Sequence, residues 1–395
     1  MKILALGGCG GMGMYAVKTL VNQGGYDSIL LADIDKKRAV SVAEQLGNAV
    51  EPLSLDISDN KALDSAVCQS DLVINTVGPF FRFGKLVLSS CIRNGCHYID
   101  ICDDWEPTLE LLKLSEQARA SKITAIIGMG ASPGISNMLA KKALLQLDTV
   151  EQVFTGWNID AAKPEKIQSK PSAATIHGIH QLTGSIKTFE NGKYLDAKPL
   201  SRVDLDYPGI GIRRVYTIGH PESVTFPRYY PSLKTSQNVF TTSRINFLGV
   251  KFIAWLVNNN FISAEAAARI TEKIEGPADP KDTPEKMLAK FLGSKKRNLP
   301  PLFALATGIK NGEAARVACT ILSAPSGGMG GATGVPLAVV AMLIMRREIS
   351  VSGVFSPEGI LNPDTFFDEL APLCSPQKKN SDDLVMNSCS WQGDI

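Results

Sequence analysis

The feature that most constrains the fold is an alternation of short apolar runs and helical stretches over the first 130 residues. Short apolar runs that end in glycine or polar residues are typical of buried strands, and strands separated by helices pair in parallel. The pattern therefore predicts an α/β domain over residues 1–130, a doubly wound parallel sheet covered on both faces. The predicted strands lie in KILALGG (2–8), SILLADID (28–35), VEPLSLDIS (50–58), DLVINTVGP (71–79), CHYIDIC (96–102) and ITAIIGMG (123–130).

The pattern changes after Gly130, and residues 131–350 are predicted to form a second, α+β domain. Antiparallel strands are predicted over 150–160 and 186–200, where Asn191-Gly192 predicts a tight turn between alternating residues. Helices are predicted over 247–259, 263–274, 284–292 and 333–346.

The C-terminal part divides into two predicted segments. Residues 351–374 are predicted to form a loop and a closing helix that packs back on the first domain. Residues 375–395 begin with the polar stretch SPQKKNSDD and are predicted to be a disordered tail.

Charge and cysteine content limit the class of protein. The 395 residues include 41 basic and 39 acidic side chains, and this balance gives no argument for a nucleic-acid or membrane partner. The longest apolar run, Val335–Met345, is too short to span a bilayer and predicts a buried helix. The eight cysteines include no C-x-x-C pair, which is typical of reduced thiols in the cytosol. We therefore expect a cytoplasmic protein.

Gly8, Gly10 and Gly13 form a G-x-G-x-x-G pattern between the first predicted strand and the first predicted helix. In that position the pattern is the dinucleotide fingerprint of the Rossmann fold. Gly8 permits the turn, Gly10 lets the backbone approach a pyrophosphate, and Gly13 lets the helix pack closely on the strand. N–H groups at the start of the helix, where Gly11 and Met12 lie, favour bound phosphates.

Further cofactor contacts are predicted at the ends of the next strands. Asp33 is placed to accept hydrogen bonds from the ribose hydroxyls of NAD and to repel the 2′-phosphate of NADP, although capping of the next helix is the alternative role. The basic residues 36–38 leave NADP possible. Asp56 is placed to touch the adenine edge or to cap a helix. Beside the nicotinamide ribose we expect Thr76, Val77, Gly78 and Pro79.

The ordered motifs resemble the saccharopine dehydrogenase-like oxidoreductases. The similar stretches are GGCGGMG (7–13), LADID (31–35), INTVGPF (74–80), HYIDICDDWEP (97–107), GASPGISN (130–137), NGKYLDAKPL (191–200), GHPESVTFPR (219–228) and GVFSPEGILNP (353–363). The resemblance implies a Rossmann domain, a second α+β domain that often forms a homodimer, and hydride transfer at the C–N bond of an amino-acid-like amine or imine. It leaves the substrate open.

This reaction needs an acid/base group near the nicotinamide. Asp103 and Asp104 follow the fifth strand and are the best-placed carboxylates, although both could instead cap a helix. A histidine, His177, is a further catalytic candidate. Its i,i+3 partner His180 has no acidic or thiol neighbour in sequence, so we expect no metal site. Substrate contacts are expected from Asp100, Ser132, Pro133, Gly134 and Asn137. Asp100 lies mid-strand and could instead orient Asp103 and Asp104 or the nicotinamide ribose.

Two other functions remain open from the sequence. One is an oxidoreductase acting on a C–O bond, of the homoserine or semialdehyde dehydrogenase type. The other is a non-catalytic NAD(P)-binding redox sensor, which would need no acid/base group. A second glycine-rich stretch, residues 324–334, lacks the G-K-[ST] ending of a P-loop and predicts a flexible turn before the helix at 335–346.

Overall fold

The computed structural model describes residues 1–159, 173–275 and 298–391. The chain forms two compact units, Met1–Ile135 with Pro325–Asn362, and Ser136–Ala324 with Pro363–Ile395. The strands are β1 (Lys2–Leu6), β2 (Ser28–Asp33), β3 (Val50–Ser54), β4 (Leu72–Asn75), β5 (His97–Asp100), β6 (Thr124–Ile126), β7 (Thr149–Asn158), β8 (Ile186–Glu190), β9 (Lys193–Ala197), β10 (Arg202–Tyr207), β11 (Gly211–Thr217), β12 (Thr235–Thr241), β13 (Leu302–Lys310), β14 (Glu313–Ile321), β15 (Ala324–Pro325), β16 (Gly353–Phe355), β17 (Cys374–Ser375) and β18 (Val385–Trp391).

The helices include a short 3-10 turn at Ala371–Leu373. The α-helices are α1 (Gly13–Gln23), α2 (Lys36–Leu46), α3 (Asn60–Val67), α4 (Phe80–Asn94), α5 (Trp105–Leu112), α6 (Ser115–Ala120), α7 (Ile135–Leu144), α8 (Ala173–Gln181), α9 (Glu222–Tyr229), α10 (Arg244–Asn258), α11 (Ala264–Glu275), α12 (Gly328–Met345), α13 (Pro357–Ile360), α14 (Pro363–Leu370) and α15 (Ser381–Leu384).

The first unit is built on a seven-stranded parallel sheet in the order β16-β6-β5-β4-β1-β2-β3. The six strands predicted from the apolar runs are all present, which confirms the doubly wound fold. The sheet also gains β16 as an edge strand, paired in parallel with β6. All carboxyl ends of a parallel sheet meet at one edge, which is where ligands bind in such folds.

The second glycine-rich stretch begins with β15, bends at residues 326–327 and continues as the first turns of α12 from Gly328, so most of it is helix and not a flexible turn. Its glycines approach α1 and the loop before it: a Cβ added at Gly334 would lie 2.3 Å from the Met12 carbonyl oxygen, and one at Gly330 would lie 2.7 Å from that of Gly11. Small residues therefore let α12 pack directly on the glycine turn. α12 is apolar and long enough to cross a membrane by composition, but 72% of it is buried inside the protein.

The second unit contains a mixed sheet in the order β10-β11-β12-β7-β13-β14-β18. β7 pairs in parallel with β12 and antiparallel with β13, so the expectation of antiparallel strands was only partly correct there. The predicted hairpin at Asn191-Gly192 is confirmed, because both residues have positive φ and Glu190 pairs with Lys193.

The division of the chain differs from the predicted domains in three places. α12 was assigned to the second domain, but it lies in the first unit because it packs on α1. The segment 351–374 was expected on the first domain as a whole, but from Pro363 onward it lies in the second unit. The tail predicted to be disordered instead forms β18, which pairs with β14 from Val385 to Trp391. Main-chain hydrogen bonds to β14 stabilise this polar strand, and such bonds cannot be predicted from amino-acid composition. The helix predicted at 284–292 lies outside the described residues.

Candidate active site

The glycine turn follows β1 and places its main chain at the start of α1. Gly7, with φ of +70°, supplies the conformation that the turn requires, whereas this role was predicted for Gly8. The Gly7 N–H bonds to the Ala32 carbonyl at 3.0 Å, and the Gly10 N–H bonds to the Gly7 carbonyl at 2.8 Å. The turn is therefore held by its own backbone and by β2 before any ligand arrives.

The glycines of the fingerprint have different neighbours. A Cβ at Gly13 would lie 2.3 Å from the Gly7 carbonyl oxygen, and one at Gly8 would lie 2.4 Å from Leu31 Cδ1, so both serve close packing. A Cβ at Gly10 would meet only the Gly7 oxygen, at 3.0 Å, and one at Gly11 would meet nothing within 4 Å. The open space at Gly11, next to the first N–H groups of α1, fits the pyrophosphate of NAD(P).

Thr76 joins the end of β4 to this turn. Its hydroxyl donates to the Leu6 carbonyl at 2.9 Å and reaches the Gly7 carbonyl at 3.1 Å. Val77 is fixed through its N–H, which donates to the Asn75 side chain at 3.0 Å. The predicted segment from Thr76 to Pro79 thus borders the glycine turn, and Pro79 occupies the N-cap position of α4.

Asp33 ends β2 as predicted, and its alternative role as a helix cap is taken by another residue. Asp35 caps α2, because its carboxylate accepts the N–H groups of Lys37 and Arg38. The Asp33 carboxylate accepts the Asp35 N–H at 3.0 Å and stays half-buried beside the glycine turn. It is therefore placed to accept ribose hydroxyls.

Two further groups lie close to Asp33 at the glycine turn, the Arg38 guanidinium and the Cys9 thiol. The Arg38 guanidinium donates to the Cys9 carbonyl at 2.5 Å, which places a cation on the same rim as Asp33. Burial and the nearby Asp33 carboxylate raise the pKa of the Cys9 thiol to about 11. The thiol is thus neutral at physiological pH and adds no negative charge where phosphates would bind.

Asp56 lies in the loop after β3, where it is exposed. Its carboxylate accepts the N–H of Ser58 at 2.9 Å and its hydroxyl at 2.7 Å, and these bonds lower the Asp56 pKa. The cap of α3 is Asp59 and not Asp56. Asp56 therefore shapes a turn at the ligand edge of the sheet, and contact with adenine stays a prediction.

A chain of buried polar side chains crosses the ends of β4 and β5. Asn75 donates to the Tyr98 hydroxyl at 3.0 Å, and this hydroxyl donates to Asp100 Oδ2 at 2.8 Å. Asp100 Oδ1 accepts the N–H groups of Cys102 at 3.0 Å and of Gly128 at 2.7 Å. Asn75, Tyr98 and Asp100 are completely buried.

These contacts fit the orienting role considered for Asp100, and its contact with substrate stays a prediction. The buried carboxylate accepts three hydrogen bonds and positions the loops after β5 and β6. Burial raises the Asp100 pKa to about 6, and the bonds from Cys102, Gly128 and Tyr98 partly oppose this shift. His97, at the opposite end of β5, accepts the Thr124 N–H through Nδ1, which is a structural role.

Asp103 and Asp104 lie in the loop that Asp100 positions, between β5 and α5, and both are half-buried. Asp104 occupies the N-cap position of α5, but its side chain makes no capping hydrogen bond. The Asp104 side chain therefore does not cap α5, which was the alternative role predicted for it. Two adjacent carboxylates at the ligand edge of a parallel sheet are suited to proton exchange with a substrate.

The loop after β6 contains Ser132, Pro133 and Gly134. It closes on itself through a Gly130 N–H bond to the Pro133 carbonyl at 2.8 Å. Gly134 has φ of +124°, and a Cβ there would lie 2.1 Å from the Gly130 oxygen, so this position requires glycine. Ser132 is half-buried, whereas Pro133 packs under Gly128. Substrate contact by this loop stays a prediction.

The remaining candidates belong to the second unit. Asn137 is buried next to Ser136, whose hydroxyl donates to Glu222 at 2.7 Å. Glu222 also bonds to His220 Nδ1 at 3.0 Å, and Glu222 and His220 are both buried. This acid–base cluster lies in the GHPES motif, to which the sequence assigned no chemistry. His177 is buried on α8 of the same unit.

Comparisons with known proteins match both units. Residues 3–126 match the saccharopine dehydrogenase NADP binding domain, and residues 130–372 match the saccharopine dehydrogenase C-terminal domain. A carboxyaminopropylagmatine dehydrogenase from Synechocystis is 21% identical over 390 residues, which cover 93% of this chain and 95% of that protein.

Two solved structures share the fold over nearly the whole chain. Apo saccharopine dehydrogenase (L-Glu forming) from Saccharomyces cerevisiae has a TM-score of 0.62 at 16% identity and covers 98% of this chain and 99% of its own. Homospermidine synthase from Legionella pneumophila, in complex with NAD, has a TM-score of 0.58 at 12% identity, with 99% and 91% covered. The resemblance carried by the sequence motifs is confirmed, and the chain belongs to the saccharopine dehydrogenase family of NAD(P)-binding oxidoreductases.

Proposed function

We propose that this protein transfers hydride between NAD(P) and the C–N bond of a secondary amine or imine that carries an amino-acid group. One observation carries the proposal. The open glycine turn, Asp33 and the Asp103–Asp104 pair all lie at the carboxyl edge of one parallel sheet. The name of the Synechocystis relative supports an amine substrate with a carboxylate and a basic end.

Different residues of the first unit bind the cofactor and exchange the proton. Main-chain N–H groups at Gly11–Gly13 bind phosphate, and Asp33 binds ribose hydroxyls. The bound nicotinamide supplies or accepts the hydride. Asp103 or Asp104 removes a proton from the amine before its oxidation, or donates one to the imine before its reduction. The Asn75–Tyr98–Asp100 chain holds the loop that carries both carboxylates.

Two groups of opposite charge beside the glycine turn influence the choice between NAD and NADP. The Asp33 carboxylate favours NAD because it repels a 2′-phosphate, whereas the Arg38 guanidinium can accept one. We propose NAD as the preferred cofactor, with NADP also bound. We further propose a cytoplasmic homodimer, with Asn137 as a substrate contact and His177 as an additional acid/base group.

The test measures loss of NADH or NADPH absorbance with a panel of amines and oxo-acids, each alone and in pairs, and the gain of that absorbance with secondary amines and NAD(P)⁺, together with product mass. Turnover only with amine and oxo-acid pairs, or with the corresponding secondary amine and NAD(P)⁺, supports the proposal. Turnover only with hydroxy acids or semialdehydes would instead show C–O chemistry. Tight cofactor binding without any turnover would indicate a redox sensor.

A further inference from the structure

Helix α10 presents a continuous apolar face to solvent. Ile245 is 83% exposed, Leu248 66%, Phe252 59% and Trp255 51%. Their spacing of three, four and three residues places them on one side of the helix. The face continues past the helix to Phe261, which is 64% exposed and lies 5.3 Å from the Trp255 ring.

The opposite side of α10 is already used by the protein core. Phe247 stacks on Tyr216 with ring centroids 3.6 Å apart, and Ala254 is buried. Ile253 and Val257 pack against the cluster of Ile179, Ala264, Ala267 and Ala268. The side of α10 that belongs to the core is therefore already packed, and the exposed row is a second, separate apolar face. A helix that is apolar on all sides is normally buried on all sides, so we infer that another molecule covers the exposed row.

The charges on α10 itself are of one sign. The helix carries Arg244 and Lys251 and no carboxylate. Lys251 lies three residues after Leu248 and four before Trp255, so it borders the apolar row. Arg244 borders its first turn, and both cations are exposed.

This charge pattern separates the possible occupants. Two copies of the chain paired through the same face would bring like charges together, which opposes self-association. Aromatic and aliphatic side chains flanked by Lys and Arg are instead typical of helices that lie in a membrane interface and bind anionic headgroups. The whole-chain charge balance hides this local pattern, which is why the sequence led us to expect no membrane partner.

We propose that the α10 face, defined by Ile245, Leu248, Phe252, Trp255 and Phe261, docks the protein on an anionic lipid surface. The apolar row enters the boundary between headgroups and acyl chains, and Arg244 and Lys251 bind the headgroups. Binding is peripheral and reversible, since one amphipathic face supplies it.

The experiment is co-sedimentation of the full chain with phosphatidylcholine vesicles, with and without phosphatidylglycerol. We expect binding to the anionic vesicles, weaker binding at high salt, and a blue shift of Trp255 fluorescence. Trp255→Ser and Leu248→Ser should each abolish most of the binding. Lys251→Glu should weaken it about fivefold or more, since each cation near the surface contributes about 1 kcal/mol.

Matched controls use the same substitutions elsewhere in the second unit. Ile212 on β11 is 67% exposed and Lys193 begins β9, so Ile212→Ser and Lys193→Glu should bind as the unchanged protein does. Thermal unfolding checks that all variants fold. Equal binding by Trp255→Ser and the unchanged protein, or no binding to anionic vesicles, would refute the proposal. So would an oligomer that Trp255→Ser dissociates, because the occupant would then be a second copy.

Discussion

The Tyr98 hydroxyl donates a 2.8 Å hydrogen bond to the Asp100 carboxylate, and both side chains are completely buried between two loops of the candidate site. The same carboxylate accepts N–H groups from the loops after β5 and β6. One buried acid thus fixes both the Asp103–Asp104 loop and the Gly128–Gly134 loop. Asp100 therefore sets the geometry of two loops that carry predicted site residues.

Stability should depend on pH through Asp100. Because its pKa is raised from 3.8 to about 6 by burial, the folded state binds its proton more tightly than the unfolded state does. This contribution is full below pH 4 and is lost as the pH rises through 6, at a cost on the order of 3 kcal/mol. Asp100→Asn should remove that slope from denaturant unfolding curves measured between pH 4 and pH 7.

The same variant should also report on catalysis. Asn retains one acceptor for the two N–H groups but loses the second acceptor for Tyr98, so the loop with Asp103 and Asp104 loses part of its support. We expect kcat to fall more than cofactor affinity. Tyr98→Phe, which leaves the loop N–H bonds to Asp100 intact, should have a smaller effect. A kcat unchanged in both variants would argue against the positioning role.

Asp104→Asn should lower turnover about 10²-fold or more, because general acid/base groups contribute that much to proton transfer. The Asp104 side chain makes no capping bond, so the substitution leaves the cap of α5 unchanged, and thermal unfolding separates any loss of stability from the loss of turnover. Steady-state kinetics over pH, with NADH affinity measured by fluorescence titration, test this. Asp103→Asn decides which carboxylate carries the proton, and exposed Glu106→Gln in the same turn is the control.

Gly10 and Gly13 should respond differently to alanine. Gly13→Ala places a methyl group 2.3 Å from the Gly7 oxygen and should cost about 2 kcal/mol or more of stability. Gly10→Ala meets only the Gly7 oxygen, at 3.0 Å, so it should cost less stability than Gly13→Ala and should mainly block the pyrophosphate. Thermal unfolding and NADH titration separate the two effects. Full NADH affinity in Gly10→Ala would remove the turn from the cofactor site.

Asp33→Ser should shift the preference between NADPH and NADH by at least about tenfold toward NADPH, since it removes a charge that repels the 2′-phosphate. Asp35→Ser is the matched control: it replaces the α2 cap, so it should lower stability by about 1 kcal/mol or less and leave the preference unchanged. The ratio of kcat/KM for the two cofactors measures the shift. An equal shift in both variants would mean that Asp33 acts only through local structure.

The sequence alone determined much of the first unit. Apolar runs and glycine spacing are local signals, so they located six strands, the glycine turn and Asp33, and Asn191-Gly192 located the hairpin between β8 and β9. The motifs from GGCGGMG to GVFSPEGILNP also identified the family. These features follow from backbone preferences and from neighbours close in the chain.

Only the tertiary structure decided which distant segments pack together. α12 joins α1 through glycines more than 300 residues away, β16 extends the parallel sheet, and β18 completes the second sheet by main-chain bonds. It also supplied the hydrogen-bond partners through which Asp100 positions two loops, and left one side of α10 exposed. Burial and hydrogen-bond partners are properties of packing between residues far apart in sequence, and no local pattern encodes them.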